Sequence, residues 1–362
     1  MVVLHIASIK NDLTLGVCAV VPQHIKAQSN LASVGFINVN NEKIEGIDCQ
    51  IDYQVPFCLK NLPKPFNKPD LVVFHETYRV EYLKISKEIR KNKIPYIIIP
   101  HGELTTEAQK KKWLKKKVAN IVFFNRFISG ARYLQALSKK EMENIKFSLP
   151  KFIGSNGTVL PEESKKTFSS SGLKLLYIGR LEVEIKGLDI MLGAIANVKD
   201  FMREHNCSLK MFGPDVLGRG DEVRALIKQN GIEDLVTLMP PILGEDKKKE
   251  LLDADVFIQT SRSEGMPLGV LEALSYGLPC IVTKGTTFMD DINQNDLGWG
   301  VETSVLAVQN AIISAVTDRE TFIKKSNNAV NFIANNYSWE KVAFDTIEEY
   351  KKIIGETDAI KK

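Results

Sequence analysis

Glu264 and Glu272 lie eight residues apart in the string Ser261-Arg-Ser-Glu-Gly-Met-Pro-Leu-Gly-Val-Leu-Glu-Ala-Leu-Ser-Tyr-Gly-Leu-Pro-Cys-Ile-Val-Thr283. An apolar run, Val256–Gln259, reads as a buried strand entering this Gly/Pro loop. A helix is expected to start near Gly269, and another strand to follow Pro279. Open α/β sheets bind ligands beyond the carboxyl ends of their strands, and the unpaired N–H groups of a helix start suit an anion. The spacing lets the two carboxylates hold different hydroxyl groups of one extended ligand while the amides between them meet its phosphates. Each has a plainer use alone, Glu272 as a first-turn acid favoured by the helix dipole and Glu264 as a solvated loop charge.

A second constellation is Leu176-Tyr-Ile-Gly-Arg-Leu-Glu-Val-Glu-Ile-Lys-Gly-Leu-Asp189. Here a strand ends at Gly179, and Arg180 and Lys186 flank the loop before a helix beginning near Gly187. A guanidinium fork and an ammonium point charge beside a helix start suit a diphosphate. Pairing with Glu182 and Glu184 is the alternative use of the same cations.

Short apolar runs alternate with longer helical patterns, which predicts β-α-β units and mainly parallel sheets. In the first half the strands are Val2–Ala7, Leu71–Phe74, Tyr96–Ile99 and Tyr133–Leu137, with a long helix over Glu107–Ser129. In the second half they are Leu173–Ile178, Leu209–Phe212, Leu235–Leu238, Val256–Gln259 and Cys280–Thr283. The polar, aperiodic stretch Glu162–Gly172 reads as a linker. The division is therefore residues 1–165 and 166–338, two Rossmann-like domains, with a terminal helix from residue 339 to 362 packing back on the first.

At 362 residues the chain suits about two domains. Its 48 Lys and Arg nearly balance its 44 Asp and Glu, which argues against a nucleic-acid coat protein. No apolar run approaches a membrane span, and the N-terminus lacks a signal-peptide pattern, so a cytoplasmic protein is expected. Five scattered cysteines without a C-x-x-C pair read as packed thiols rather than a zinc site. Lys110-Lys-Lys-Trp-Leu-Lys-Lys-Lys117 is either a solvated helix face or a peripheral contact with an anionic membrane surface.

The two constellations, with Phe212-Gly-Pro214 between them, resemble glycosyltransferase family 4. Upstream, Ile94-Pro-Tyr-Ile-Ile-Ile-Pro-His-Gly-Glu103 is similar to that family's strand-then-His-Gly segment. Ala136-Leu-Ser-Lys-Lys-Glu141 is similar to its strand-then-Ser-x-x-Glu segment, and Tyr337-Ser-Trp339 to its C-terminal signature. The resemblance covers nearly the whole chain and is strongest in the second half. It implies the GT-B fold, two Rossmann-like domains facing each other across a cleft, the first for acceptor and the second for a nucleotide sugar. The implied reaction is retaining transfer of a hexose or N-acetylhexosamine from a nucleoside diphosphate, UDP ahead of GDP, to a saccharide hydroxyl. A lipid-linked glycan of capsule, exopolysaccharide or lipopolysaccharide assembly is the implied acceptor.

By the same resemblance Arg180 and Lys186 neutralise the donor diphosphate. Glu264 holds the donor sugar with Gly265, Met266, Leu268 and Gly269, and Glu272 binds the ribose. His101 lies near the reacting sugar, and Gly16, in the loop after the first strand, lets backbone approach phosphate or acceptor. Two departures stand out: Asn11-Asp-Leu-Thr-Leu-Gly16 offers one glycine where a pair is common, and Gly-Met-Pro follows Glu264 where Gly-Phe-Gly is frequent. Asp253-Ala-Asp255 reads as a structural junction, so no metal and no cofactor are expected. A nucleotide-sugar epimerase and a non-catalytic nucleotide-sugar-binding scaffold are the rival readings. An NAD-dependent oxidoreductase is disfavoured, since no G-x-G-x-x-G follows the first strand.

Overall fold

The computed structural model describes residues 1–12, 15–110, 120–215 and 218–361. Two compact units emerge, one of residues 1–157 with 339–362, the other of residues 158–338.

The N-terminal unit holds seven strands: β1 (Val2–Ala7), β2 (Ser33–Asn38), β3 (Gln50–Ile51), β4 (Leu71–His75), β5 (Tyr96–Ile99), β6 (Tyr133–Ala136) and β7 (Lys151–Ile153). They form one sheet in the order β3-β2-β1-β4-β5-β6-β7, and every pairing is parallel. The C-terminal unit holds β8 (Lys174–Ile178), β9 (Ser208–Phe212), β10 (Val236–Met239), β11 (Val256–Gln259), β12 (Cys280–Thr283) and β13 (Gly298–Val301). Its order is β10-β9-β8-β11-β12-β13, again parallel throughout.

Both faces of such a sheet are covered by helices, so its strands read as continuous apolar runs. Leu175 and Tyr177 of β8 join the core beneath helices Leu188–Asn197 and Val305–Thr317, while Leu176 between them joins the opposite core beneath helix Leu268–Ser275. The strands invisible to a search for such runs are the ones broken by small residues or lying at edges. Gly35 interrupts β2 and leaves room for the Phe66 ring, against which an added Cβ would stand 2.7 Å away. β13 is Gly-Trp-Gly-Val and only half-buried.

Two boundaries differ from the sequence expectation. The chain crosses between units at Gly157/Thr158 rather than at 165/166, because the stretch expected as linker packs into the second unit. Lys165 is buried there, donating from Nζ to the Leu252 carbonyl at 2.8 Å, and the Ser169 amide donates to Asp255 Oδ1 at 2.8 Å. The expected helix over Glu107–Ser129 is a helix at Thr106–Lys110, a π-helical turn at Asn120–Phe124 and a helix at Asn125–Ser129. Its middle, with most of the lysine cluster Lys110–Lys117, lies outside the described residues. Among the described residues no helix is long and apolar enough to cross a membrane. Cys18, Cys207 and Cys280 are buried, and Cys49 and Cys58 half-buried, all as free thiols.

The last helix, Trp339–Lys361, belongs to the N-terminal unit. Its buried Tyr350 hydroxyl donates to Gln135 Oε1 at 2.9 Å, and Gln135 Nε2 donates to the Gly154 carbonyl at 2.9 Å. Tyr350→Phe strands the Gln135 carbonyl in a dry site, so we expect a stability loss of about 1–3 kcal/mol in urea unfolding. An unchanged midpoint would contradict this anchoring.

Candidate active site

Parallel pairing of β8 with β11 sends both following loops out at one end of the C-terminal sheet. Lys186, the last residue of the one-turn helix Val183–Lys186 that follows β8, meets Glu264, in the loop after β11, at 2.5 Å between Nζ and Oε1. Both side chains are only 13% and 12% exposed, so this pair is largely desolvated. The same Oε1 accepts from the Ser261 hydroxyl at 2.6 Å and from Gln259 Nε2 at 2.9 Å, while the Glu264 amide donates to the Gly285 carbonyl at 3.0 Å. Glu264 is therefore no solvated loop charge. Ser261 and Gln259 were missed by sequence reasoning; their signal was a run of polar residues closing an apolar strand.

Gly187 explains how the β8 loop reaches this point. Its φ of +62° is left-handed, and a Cβ would stand 2.1 Å from the Thr260 carbonyl oxygen. The Thr260 hydroxyl donates to the Gly187 carbonyl at 2.8 Å, closing the approach of the two loops. Arg262 reinforces it with a two-point bond to Asp189 (2.7 and 2.6 Å) and a bond to the Glu184 carbonyl at 2.9 Å. Asp189 is held below the usual carboxylate range chiefly by those Arg262 hydrogen bonds.

Arg180 lies in the same loop, half-exposed, with Nη1 3.3 Å from Glu182 Oε2. Its carbonyl accepts from the buried Tyr177 hydroxyl at 2.8 Å, a second anchor that the sequence did not signal. Helix Leu268–Ser275 begins after Pro267 with no side-chain cap, so its first N–H groups are not taken by a capping side chain. Gly265, Met266, Leu268 and Gly269 lie at this helix start. A Cβ on Gly269 would press on the Phe257 ring at 3.1 Å and the Ile178 carbonyl at 3.2 Å, so the helix starts tight against β8 and β11. Glu272 is the fifth helical residue rather than a first-turn acid, and it pairs with Lys247. Asp253 pairs with Lys174 at 2.6 Å, and Asp255 accepts from the Ser169 and Lys174 amides, so both serve the fold. Among the described residues no group of three or more His, Cys, Asp or Glu is placed to hold a metal ion.

In the N-terminal unit His101 follows β5 with φ of +47°, and Gly102 with +85°. A left-handed histidine is held there by its surroundings rather than by its own preference. The brace is Glu141, whose Oε1 accepts from the Gly102 amide and whose Oε2 accepts from the Leu137 amide, each at 2.6 Å. Ser138 caps the short helix that carries Glu141, accepting from the Glu141 amide at 3.2 Å. The two upstream motifs thus form one device. Burial raises the Glu141 carboxyl, opposed by the two amides. Gly16 is the first residue of helix Gly16–Ser29 rather than a loop residue, exposed and with no protein atom within 4 Å of an added Cβ.

Residues 161–339 match the family model for glycosyl transferases group 1. The C-terminal unit belongs to this family. Among similar proteins, a D-inositol 3-phosphate glycosyltransferase of Arthrobacter sp. strain FB24 is 24% identical over 176 residues, 49% of this chain and 42% of that one. The putative teichuronic acid biosynthesis glycosyltransferase TuaC of Bacillus subtilis strain 168 is 30% identical over 209 residues, 52% of this chain and 47% of that one. The chain thus spans a little under half the length of these curated relatives. Over nearly its full length it superposes on sucrose-phosphate synthase from Thermosynechococcus elongatus (TM-score 0.73, 17% identity, 98% of this chain and 99% of that one). It superposes equally on HepE of Anabaena, solved with UDP and glucose (TM-score 0.73, 14% identity, 97% and 99%). At these identities the likeness is one of fold, and the fold is GT-B.

Two outcomes are expected of this architecture. Gly187→Ala meets both a left-handed backbone and the Thr260 carbonyl, and should cost on the order of 1–3 kcal/mol by urea unfolding. Burial draws His5 down to about 3 and His24 to about 4. The unfolded chain binds protons at these rings near pH 6.5 and the folded chain does not. Stability present above pH 6.5 is therefore lost as pH falls towards 4, at about 1.4 kcal/mol per pH unit per ring. From these two rings, unfolding at pH 5.5 should show a loss of about 3 kcal/mol relative to pH 7.5. A flat profile would contradict neutral burial.

Proposed function

We propose that the chain is a retaining glycosyltransferase. It moves a hexose or N-acetylhexosamine from a nucleoside-diphosphate sugar, UDP rather than GDP, to a hydroxyl of a saccharide acceptor, without a metal ion. The observation that carries this is the desolvated Lys186–Glu264 pair beside an uncapped helix start. Breaking the anomeric C–O bond places negative charge on the departing diphosphate. Arg180, Lys186 and the N–H groups of Gly265, Met266, Leu268 and Gly269 are the groups that neutralise such charge. Glu264, released from Lys186 when the diphosphate takes that cation, becomes the acceptor for sugar hydroxyls. Glu272 takes the ribose, with Lys247 as its partner in the free protein.

In the N-terminal unit His101, braced through Gly102 by Glu141, is the side chain assigned to this reaction, and Gly16 leaves backbone open to the acceptor. The acceptor is a lipid-linked glycan of cell-surface polysaccharide assembly, such as capsule or lipopolysaccharide. That reading is supported by relatives named for amylovoran, teichuronic acid and colanic acid biosynthesis. The protein works in the cytoplasm, peripheral to the inner face of the membrane through Lys110–Lys117.

Thermal unfolding with UDP, GDP and ADP tests the donor reading. The matching nucleotide at about 100 times its dissociation constant should add about 2.7 kcal/mol. Lys186→Ala should lose that shift, and Lys186→Ala and Glu264→Ala should both lose turnover with folding intact. One lost contact to the leaving group is worth roughly 2.7–4 kcal/mol in the transition state. The product anomer, read by proton NMR, should match the donor, and chelation by EDTA should leave the rate unchanged. No nucleotide shift in folded protein, inversion, or a rate restored only by added divalent cation would each contradict the corresponding part.

A further inference from the structure

Arg219 stands in an unfavourable place for a cation. It is the first residue of helix Arg219–Asn230, where a positive charge opposes the helix dipole. Its Nη1 lies 3.5 Å from Glu182 Oε1, while Arg180 Nη1 lies 3.3 Å from Glu182 Oε2. Glu182, only 9% exposed, is thus a buried carboxylate between two part-exposed guanidinium groups.

The backbone brings the three together. β9, β8 and β11 are neighbours in the sheet and run parallel, so the segments that follow them emerge side by side at one end. The β9 segment lies directly on the β8 segment: a Cβ on Gly213 would collide with the Gly179 carbonyl, and the Leu181 amide donates to the Pro214 carbonyl at 3.4 Å. Asp215 Oδ1 then accepts from the Gly220 amide at 2.9 Å and fixes where the helix carrying Arg219 begins.

These two arginines differ from others of the same unit in what their N–H groups do. Arg262 forks two nitrogens onto the carboxylate of Asp189, and Arg203 does the same with Asp234. Arg180 and Arg219 approach Glu182 closely enough for charge attraction, yet among the described residues neither side chain makes an aligned hydrogen bond. Glu182 Oε2 is left without one in a dry place. Burying a carboxylate without aligned donors is costly. Its effect here is to hold two like charges side by side that would otherwise repel. Two guanidinium forks with open donors match the oxygens of phosphoryl groups.

We propose that Arg219 is a donor-phosphate contact of the C-terminal unit, and that Glu182 is the positioning residue that holds Arg180 and Arg219 together for it. The ligand class is a diphosphate, whose two phosphoryl groups offer oxygens to both forks. The nucleotide part rests on the glycosyl-transfer reading above; the anion clamp does not.

Calorimetric titration of the full chain with inorganic pyrophosphate, and with UDP, GDP and ADP, tests both parts. Wild type should bind pyrophosphate and one of the nucleotides. Arg219→Gln should weaken both ligands about tenfold or more, the worth of a charged hydrogen bond, and Arg219→Lys should recover part of that loss as a point charge. Glu182→Gln keeps the shape and removes the charge. Were Glu182 a mere counter-charge, its loss would tighten anion binding; as a positioning residue its loss should weaken pyrophosphate about tenfold, with folding checked by thermal melt. A lowered melting temperature with unchanged or tighter pyrophosphate binding overturns the positioning role. Nucleotide binding that survives Arg219→Gln but is lost in Lys186→Ala overturns the Arg219 contact and leaves the donor reading standing. Weakened nucleotide with unchanged pyrophosphate overturns the phosphate assignment, and wild type that binds no pyrophosphate overturns the clamp. Pyrophosphate held through Arg219 in a protein that binds no nucleoside diphosphate upholds the clamp and sinks the donor reading instead.

Discussion

The rest of the C-terminal unit is organised around one costly interaction, the ion pair of Lys186 and Glu264. Removing two charges from water costs several kcal/mol each, and a lone pair of such groups seldom recovers that cost. Here the carboxylate also takes hydrogen bonds from Ser261 and Gln259. Ser261 and Gln259 come from the carboxylate's own segment, whereas Lys186 reaches it only because β8 and β11 are adjacent and parallel, which brings the two following segments to the same end of the sheet. Gly187 then lets the loops touch backbone to backbone. A hydrophobic pair of equal volume would stabilise the fold as well or better. Charges retained against that cost, at an uncapped helix start, are what an anionic ligand with hydroxyl groups requires.

The N-terminal unit solves a related problem with neutral groups. Its sheet ends in left-handed residues, Glu76 after β4 and His101 after β5, and both turns are tied down from outside the strand. The Glu76 amide donates to the Ile99 carbonyl, the Tyr82 hydroxyl to the His75 carbonyl, and Glu141 collects the Gly102 and Leu137 amides. A ring presented on such a braced turn keeps its position while only its Nε2 is bonded to the protein, at 3.1 Å from His75 Nδ1.

Motif reading picked out Lys186 and Glu264, which touch, but not why they touch, while Arg180 and Glu272 pair with Glu182 and Lys247 instead. Arg180, Lys186 and Glu264 were legible because each lies between a strand end and a glycine-bearing helix start. Gln259 and Ser261 were not, since polar residues at a strand end have many uses and only the folded loop shows them converging on one oxygen. The row of contacts from His5 through His75 to His101 was invisible for a different reason. The three are 70 and 26 residues apart, and they align only once strand order and register are known. The unit boundary failed for want of a composition signal: residues 158–172 are polar enough to be a linker, yet Lys165 and Ser169 bind into the second unit. Strands β2 and β13 were missed because glycines break the apolar run that marks a buried strand.

The most direct test is a crystal structure of the protein with UDP bound. The account predicts diphosphate oxygens within hydrogen-bonding distance of Lys186 Nζ and of the first amides of helix Leu268–Ser275, with Glu264 freed from the lysine and open towards the sugar position. Diphosphate bound elsewhere, with the Lys186–Glu264 pair intact and untouched, would contradict it.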